Sequence, residues 1–142
     1  AWGNAAIRLG IAFASKEIIS FFNKIKYPYN INILTQQQAM KSINNVEQVH
    51  NWVKVILDER ENLISGLNKL KMVQHIFPTD ANFVLVQVND ANATYQNLVN
   101  KGIIVRNRNT VSLCLGCLRI TVGTPEENQI LKKKKKKMDA EA

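Results

Sequence analysis

Histidine and cysteine are nearly missing from this sequence, with two of each in 142 residues. His50 and His75 stand far apart and far from Cys114 and Cys117, without the spacing of a ligand set, so no metal site is expected. Cys114-Leu115-Gly116-Cys117 has C-x-x-C spacing, but it runs into a strand-like apolar stretch. Redox chemistry would want it at a helix start, where the dipole lowers a thiol pKa. Two reduced cysteines in a cytoplasmic protein are the expectation. Aromatic residues are sparse, at 7%, and none interleaves with basic residues to stack bases. Long apolar runs are absent as well: Gly10-Ile11-Ala12-Phe13-Ala14 is stopped by Ser15-Lys16-Glu17, which excludes a membrane span there. No cationic stretch leads into an apolar core and cleavage site, so no secretory signal is visible.

Acidic residues are outnumbered, 11 against 19 Lys and Arg, for a net charge of +8. Six of those positive charges are Lys132 to Lys137, and only +2 remains without them. Such a block is solvated and self-repelling and says little about the folded part, so neither nucleic acid nor membrane is an expected partner. With 46% hydrophobic residues, the chain has the makings of one globular domain or a large piece of one. It begins without Met and in mid-pattern, as a fragment does.

What the sequence does have is concentrated in Gly102 to Asn128. Two apolar runs each carry an arginine: Arg106 follows Ile103-Ile104-Val105, and Arg119 sits inside Leu118-Arg119-Ile120. Runs of Ile and Val flanked by Gly and Asn predict short buried strands. An arginine in such a strand is costly to desolvate unless an anion meets it, and the guanidinium fork suits phosphate or carboxylate. The alternative is a pair of surface charges or internal ion pairs.

Upstream, Ile7 to Ala14 predicts a strand, and Ser15 caps a helix through Phe22. Lys26 to Asn30 breaks the pattern around Pro28, and Thr35 caps a helix through about Ser42. Val46, Val49, Val53, Ile56, Leu57, Ile64, Leu67 and Leu70 recur at three- and four-residue steps, the stripe of one long helix. Pro78 to Ala81 is a turn, and Phe83 to Val88 is apolar enough for a strand buried on both faces. Asp90 caps a helix over Ala91 to Lys101, stopped by Gly102. Thr124-Pro125-Glu126-Glu127 is a helix start with cap, proline and capping glutamate in place. That helix is expected to fail after Leu131, where lysines replace the apolar stripe. The order predicts an α/β layer on a small sheet.

Four stretches resemble a known family. Ala1-Trp2-Gly3-Asn4-Ala5-Ala6-Ile7-Arg8-Leu9-Gly10 resembles the segment just after the Schiff-base lysine of fold-type I, pyridoxal-phosphate-dependent aminotransferases. Asp80-Ala81-Asn82-Phe83, Gly102 to Arg106 and Gly116-Cys117-Leu118-Arg119-Ile120-Thr121-Val122-Gly123-Thr124 are similar to the histidinol-phosphate subgroup. The resemblance runs from Ala1 to Leu131. It implies the C-terminal small domain of such an enzyme, with a long connecting helix and a remnant strand and helix of the large domain. Residues 1–28 would be the large-domain remnant, 29–76 the linker and connecting helix, 77–131 the small α/β domain, and 132–142 a disordered lysine-rich tail.

By the same resemblance, Arg8 would bind the phosphate of pyridoxal phosphate. Arg119 would hold the acidic tail of the substrates, histidinol phosphate and glutamate or 2-oxoglutarate, and Arg106 would be the second phosphate clamp. The catalytic lysine would directly precede Ala1, so no catalytic residue lies in the chain, and the 142 residues alone are expected to be inactive. The intact enzyme would be a cytoplasmic homodimer. Alternatives are a related threonine-phosphate decarboxylase or aromatic aminotransferase, a phosphate-metabolite-binding module without chemistry, and a non-functional truncated product that aggregates through uncovered apolar surface.

Overall fold

The computed structural model describes the backbone of residues 2–140 and the side chains of residues 2–133. It divides into two compact units, Ala1–Val53 and Lys54–Ala142. The division falls inside the longest helix.

The first unit is helical. A single 3-10 turn at Ala5–Ile7 is followed by α1 (Lys16–Ile25), α2 (Ile33–Ile43) and the beginning of α3 (Val46–Leu67). Ser15 caps α1 as its position predicts, its Oγ accepting from the Ile18 N–H at 3.4 Å. The cap of α2 is Asn32 rather than Thr35: the Thr35 N–H donates to Asn32 Oδ1 at 2.8 Å. Ile7 to Ala14 is not a strand, because a strand needs a neighbour to take its backbone hydrogen bonds and no strand is formed among the described residues of this unit. None of the described residues of this unit is buried, and Phe13 is 94% exposed.

The second unit is built on a four-stranded antiparallel sheet in the order β1-β2-β4-β3. Its strands are β1 (Val73–Ile76), β2 (Phe83–Val88), β3 (Arg106–Asn107) and β4 (Cys117–Thr121). The helix α4 (Ala91–Asn100) joins β2 to β3, capped by Asp90, whose Oδ1 accepts from the Ala93 N–H at 2.9 Å. Gly102, at φ +74°, then reverses the chain, a conformation that glycine adopts without a Cβ penalty. The arrangement is the expected α/β layer, with two differences: the strand expected on Ile103-Ile104-Val105 falls on Arg106–Asn107 instead, where β4 offers backbone partners, and β1 is a strand that its polar, half-exposed residues conceal from sequence inspection.

Alternation along β2 is strict: Val84, Val86 and Val88 are buried while Phe83, Leu85 and Gln87 are half-buried. The expected strand buried on both faces therefore has one core face and one open face. On the core side these valines meet Leu118 and Ile120 of β4, Leu63 and Leu67 of α3, and Leu98 of α4. Complete burial of one such side chain contributes about 1.5–3 kcal/mol, so this face holds the unit together.

The last helix, α5 (Pro125–Ala140), starts with a reciprocal capping box. Thr124 Oγ1 accepts from the Glu127 N–H at 3.3 Å, and Glu127 Oε2 accepts from the Thr124 N–H at 2.9 Å. The helix does not stop at Leu131, and residues 132–140 continue it rather than forming a disordered tail; residues 141–142 lie outside the described residues. Lysine is a good helix former, and cations toward the C-terminal end complement the dipole while Glu126 and Glu127 complement the other end. The helix is also docked past Leu131: a Cβ on Gly66 of α3 would stand 2.9 Å from Lys132 Cε, so the aliphatic stem of that lysine lies along the glycine. Among the described residues, no helix is long and apolar enough to cross a membrane.

Candidate anion-binding site

The open face of the sheet carries the arginines. Antiparallel register places Arg106 of β3 directly opposite Arg119 of β4, and Arg119 directly opposite Leu85 of β2. Residues in direct register have Cβ atoms about 4.5–5.5 Å apart and share a face. Both arginines thus present positive charge on one sheet face, where a counter-charge is attracted.

The two guanidinium groups differ in setting. Arg106 is exposed on the edge strand, while Arg119 is half-buried. Arg119 lies against Phe83, its Cζ 5.0 Å from the ring centroid, a cation–π arrangement that holds the planar group in place. Its Nε is buried without a hydrogen-bond partner. A buried donor of this kind carries a desolvation cost of about 1–3 kcal/mol until it is satisfied. The arrangement suits a bidentate anion such as phosphate or carboxylate.

A chain of asparagines secures the neighbouring hairpin. Asn107 is paired with Leu118 on the core face, and its Nδ2 donates to Asn92 Oδ1 of α4 at 2.8 Å. Asn107 Oδ1 accepts from the Asn109 N–H at 2.9 Å, and Asn109 Oδ1 accepts from the Gly116 N–H at 2.7 Å across the hairpin mouth. Backbone bonds continue the clasp, with the Arg108 N–H donating to Cys117 O at 2.9 Å. The loop between is irregular: Leu113 is left-handed at φ +62° and 98% exposed. In sequence Arg106-Asn107-Arg108-Asn109 is a run of polar residues, and only the side-chain contacts reveal what the asparagines fasten.

Arg8 belongs to the first unit. It caps the 3-10 turn in a left-handed conformation, φ 56° and ψ 32°, which costs a non-glycine residue about 1–2 kcal/mol. Its exposed side chain makes a long contact to Ala5 O at 3.5 Å, which leaves most of the guanidinium fork open to an anion. The concave spaces are elsewhere: an apolar cleft of about 470 Å³ beside Trp2, Leu9 and Ile43, and a groove of about 500 Å³ between residues 102–105 and 120–131. Neither is lined by any of the three arginines.

Cys117 is buried and Cys114 half-buried, both as free thiols. Burial, with a smaller effect of Cys114, pushes the Cys117 thiol up from its ordinary range, away from the thiolate that redox or metal chemistry uses. Among the described residues, no group of three or more His, Cys, Asp or Glu side chains could hold a metal ion.

Comparison with known proteins bears on what this face serves. Residues 1–134 match the family model for aminotransferase class I and II. The chain is 53% identical over 131 residues to the histidinol-phosphate aminotransferase of Parabacteroides distasonis, covering 92% of this chain and 38% of that protein. It is 51% identical over 131 residues, at the same coverage, to the enzyme of the same name from Bacteroides thetaiotaomicron. The chain therefore spans about 38% of the length of the curated relatives it matches. In three dimensions it is similar to the histidinol-phosphate aminotransferase of Clostridium acetobutylicum, with a TM-score of 0.83 at 23% identity over 90% of this chain and 39% of that one.

Proposed function

The chain belongs to the class I and II aminotransferases, and from that premise we propose that it is the part of a pyridoxal-phosphate-dependent histidinol-phosphate aminotransferase that follows the catalytic lysine. Its fold is the α/β fold of the fold-type I enzymes. The intact enzyme exchanges the amino group of L-histidinol phosphate with 2-oxoglutarate, a step of histidine biosynthesis, as a cytoplasmic homodimer. Residues 1–28 contribute to the cofactor domain, 29–76 connect, and 77–131 form the small domain.

The observation that carries this reading is the direct register of Arg106 with Arg119, the latter lying over Phe83, on a chain 53% identical to an enzyme named for a phosphorylated substrate. Two guanidinium groups match the double charge of a phosphate monoester better than one. Arg119 takes the acidic tail of either substrate, and Arg106 adds the second contact for phosphate. Holding the substrate at its far end fixes its amine relative to the cofactor, which lowers the entropic part of the barrier. Arg8 anchors the cofactor phosphate. Pyridoxal phosphate, when bound, supplies the electron sink that lets an amino group move between carbon skeletons. These 142 residues would supply binding groups for the substrate and the cofactor phosphate rather than the catalytic lysine of the family pattern.

Calorimetric titration of L-histidinol phosphate into the chain tests the site. Binding that is weakened about tenfold or more by Arg119→Ala, and less by Arg106→Ala, is the expected outcome. Binding indifferent to both substitutions would refute the clamp. Transamination by this chain with added pyridoxal phosphate would refute the division of labour.

A further inference from the structure

We propose that Asn109, with Asn107, is a positioning residue that sets Arg106 against Arg119, so that the two guanidinium groups converge on one phosphate. The inference rests on the reading of that pair as an anion clamp.

Arg106 has little of its own to hold it. Its strand is two residues long and lies at the sheet edge. The preceding residues 103–105 form no strand, and Ile104 is 78% exposed. Like charges directly opposite one another add nothing that would hold this edge in register. Against this, two side chains fasten the edge from behind. Asn107 points to the core face, where its Nδ2 bonds Asn92 of α4 at 2.8 Å. Side chains alternate along a strand, so anchoring Asn107 inward commits Arg106 outward; a slip of one residue would exchange them.

Asn109 closes the other side. Its N–H donates to Asn107 Oδ1 at 2.9 Å, and its Oδ1 accepts from the Gly116 N–H at 2.7 Å. Gly116 is at φ +73°, three residues before Arg119 on the same strand approach. A continuous path, Asn92 to Asn107 to Asn109 to Gly116, therefore ties α4 to both arms of the hairpin that bears the two arginines. Neither asparagine needs to touch the anion to govern where the guanidinium groups meet.

A double-mutant cycle on the full 142-residue chain tests this, with inorganic phosphate as the probe and binding followed by amide chemical shifts. Asn109→Ala is expected to raise the Kd for phosphate about fivefold in the parent and to leave it unchanged in the Arg106→Ala background, because it acts through Arg106. Asn109→Asp, which keeps the acceptor oxygen, should preserve the Gly116 amide's protection from exchange and shows whether the alanine variant lost the clasp rather than the fold. An equal effect of Asn109→Ala in both backgrounds overturns the positioning role while leaving the arginine clamp standing. Phosphate binding insensitive to Arg106→Ala and Arg119→Ala overturns the clamp and the positioning role together.

Discussion

At Glu59 two asparagines meet one carboxylate: Asn128 Nδ2 donates to its Oε2 at 2.8 Å and Asn62 Nδ2 to its Oε1 at 3.1 Å. The hydrogen bond from Asn128, then that from Asn62, favours the charged form and holds the carboxyl below its ordinary 4.5, against the opposing effect of burial. The unfolded chain thus binds this proton more tightly than the folded one. The stabilisation is complete above the ordinary value and is lost as pH falls through the lower folded value. The urea midpoint should therefore drop on acidification below pH 4.5, and Glu59→Gln, weaker at neutral pH, should show a smaller drop. Equal acid sensitivity of parent and variant would dismiss the assignment. Neither partner is apparent in the sequence, since Glu59 and Asn128 are separated by 69 positions and both look like solvent-facing polar residues. Asn128 is in fact 2% exposed, because its amide also bonds both backbone groups of Gly123 at 3.1 and 3.0 Å.

Among the elements, β4 matters most, since it lies between β2 and β3 and carries a core face and an arginine face. Leu118→Ala removes a fully buried side chain from that core face and should cost about 2–5 kcal/mol, measured by urea denaturation. A loss under about 0.5 kcal/mol, the range of surface substitutions, would contradict the described packing. The strands with apolar periodicity, β2 and β4, and the capped helices α1, α4 and α5 were legible because each pattern is local. The strand β1 was not, its burial being half at Val73 and Ile76 and absent at Gln74 and His75. The end of α5 was misjudged because loss of an apolar stripe is a signal about docking, whereas a lysine run still propagates a helix once one turn is fixed. At the candidate site, the arginines stood out by type and place, but their cross-strand register and the asparagine clasp depend on pairing that no short-range pattern records.

For the molecule as a whole, apolar surface is unevenly shared. The second unit has a buried core, whereas the first leaves Phe13 94%, Ile25 78% and Leu34 72% exposed. Large exposed apolar patches drive association in water. The purified chain should accordingly form concentration-dependent oligomers in sedimentation velocity, and Phe21→Asp with Ile25→Asp should reduce them; a strictly monomeric parent would count against this. The family resemblance was legible across both units because its motifs are contiguous in sequence, and it supplied the function that physical pattern alone left as an anion site. One consequence of the facing arginines remains. On the proposed reading, an anion held by the pair binds the folded state and not the unfolded one, so it raises the melting temperature, by the equivalent of about 2.7 kcal/mol at a hundredfold excess over its Kd. A thermal-shift screen of phosphate esters and dicarboxylates would then let the protein rank its own ligands, without an assay of the reaction.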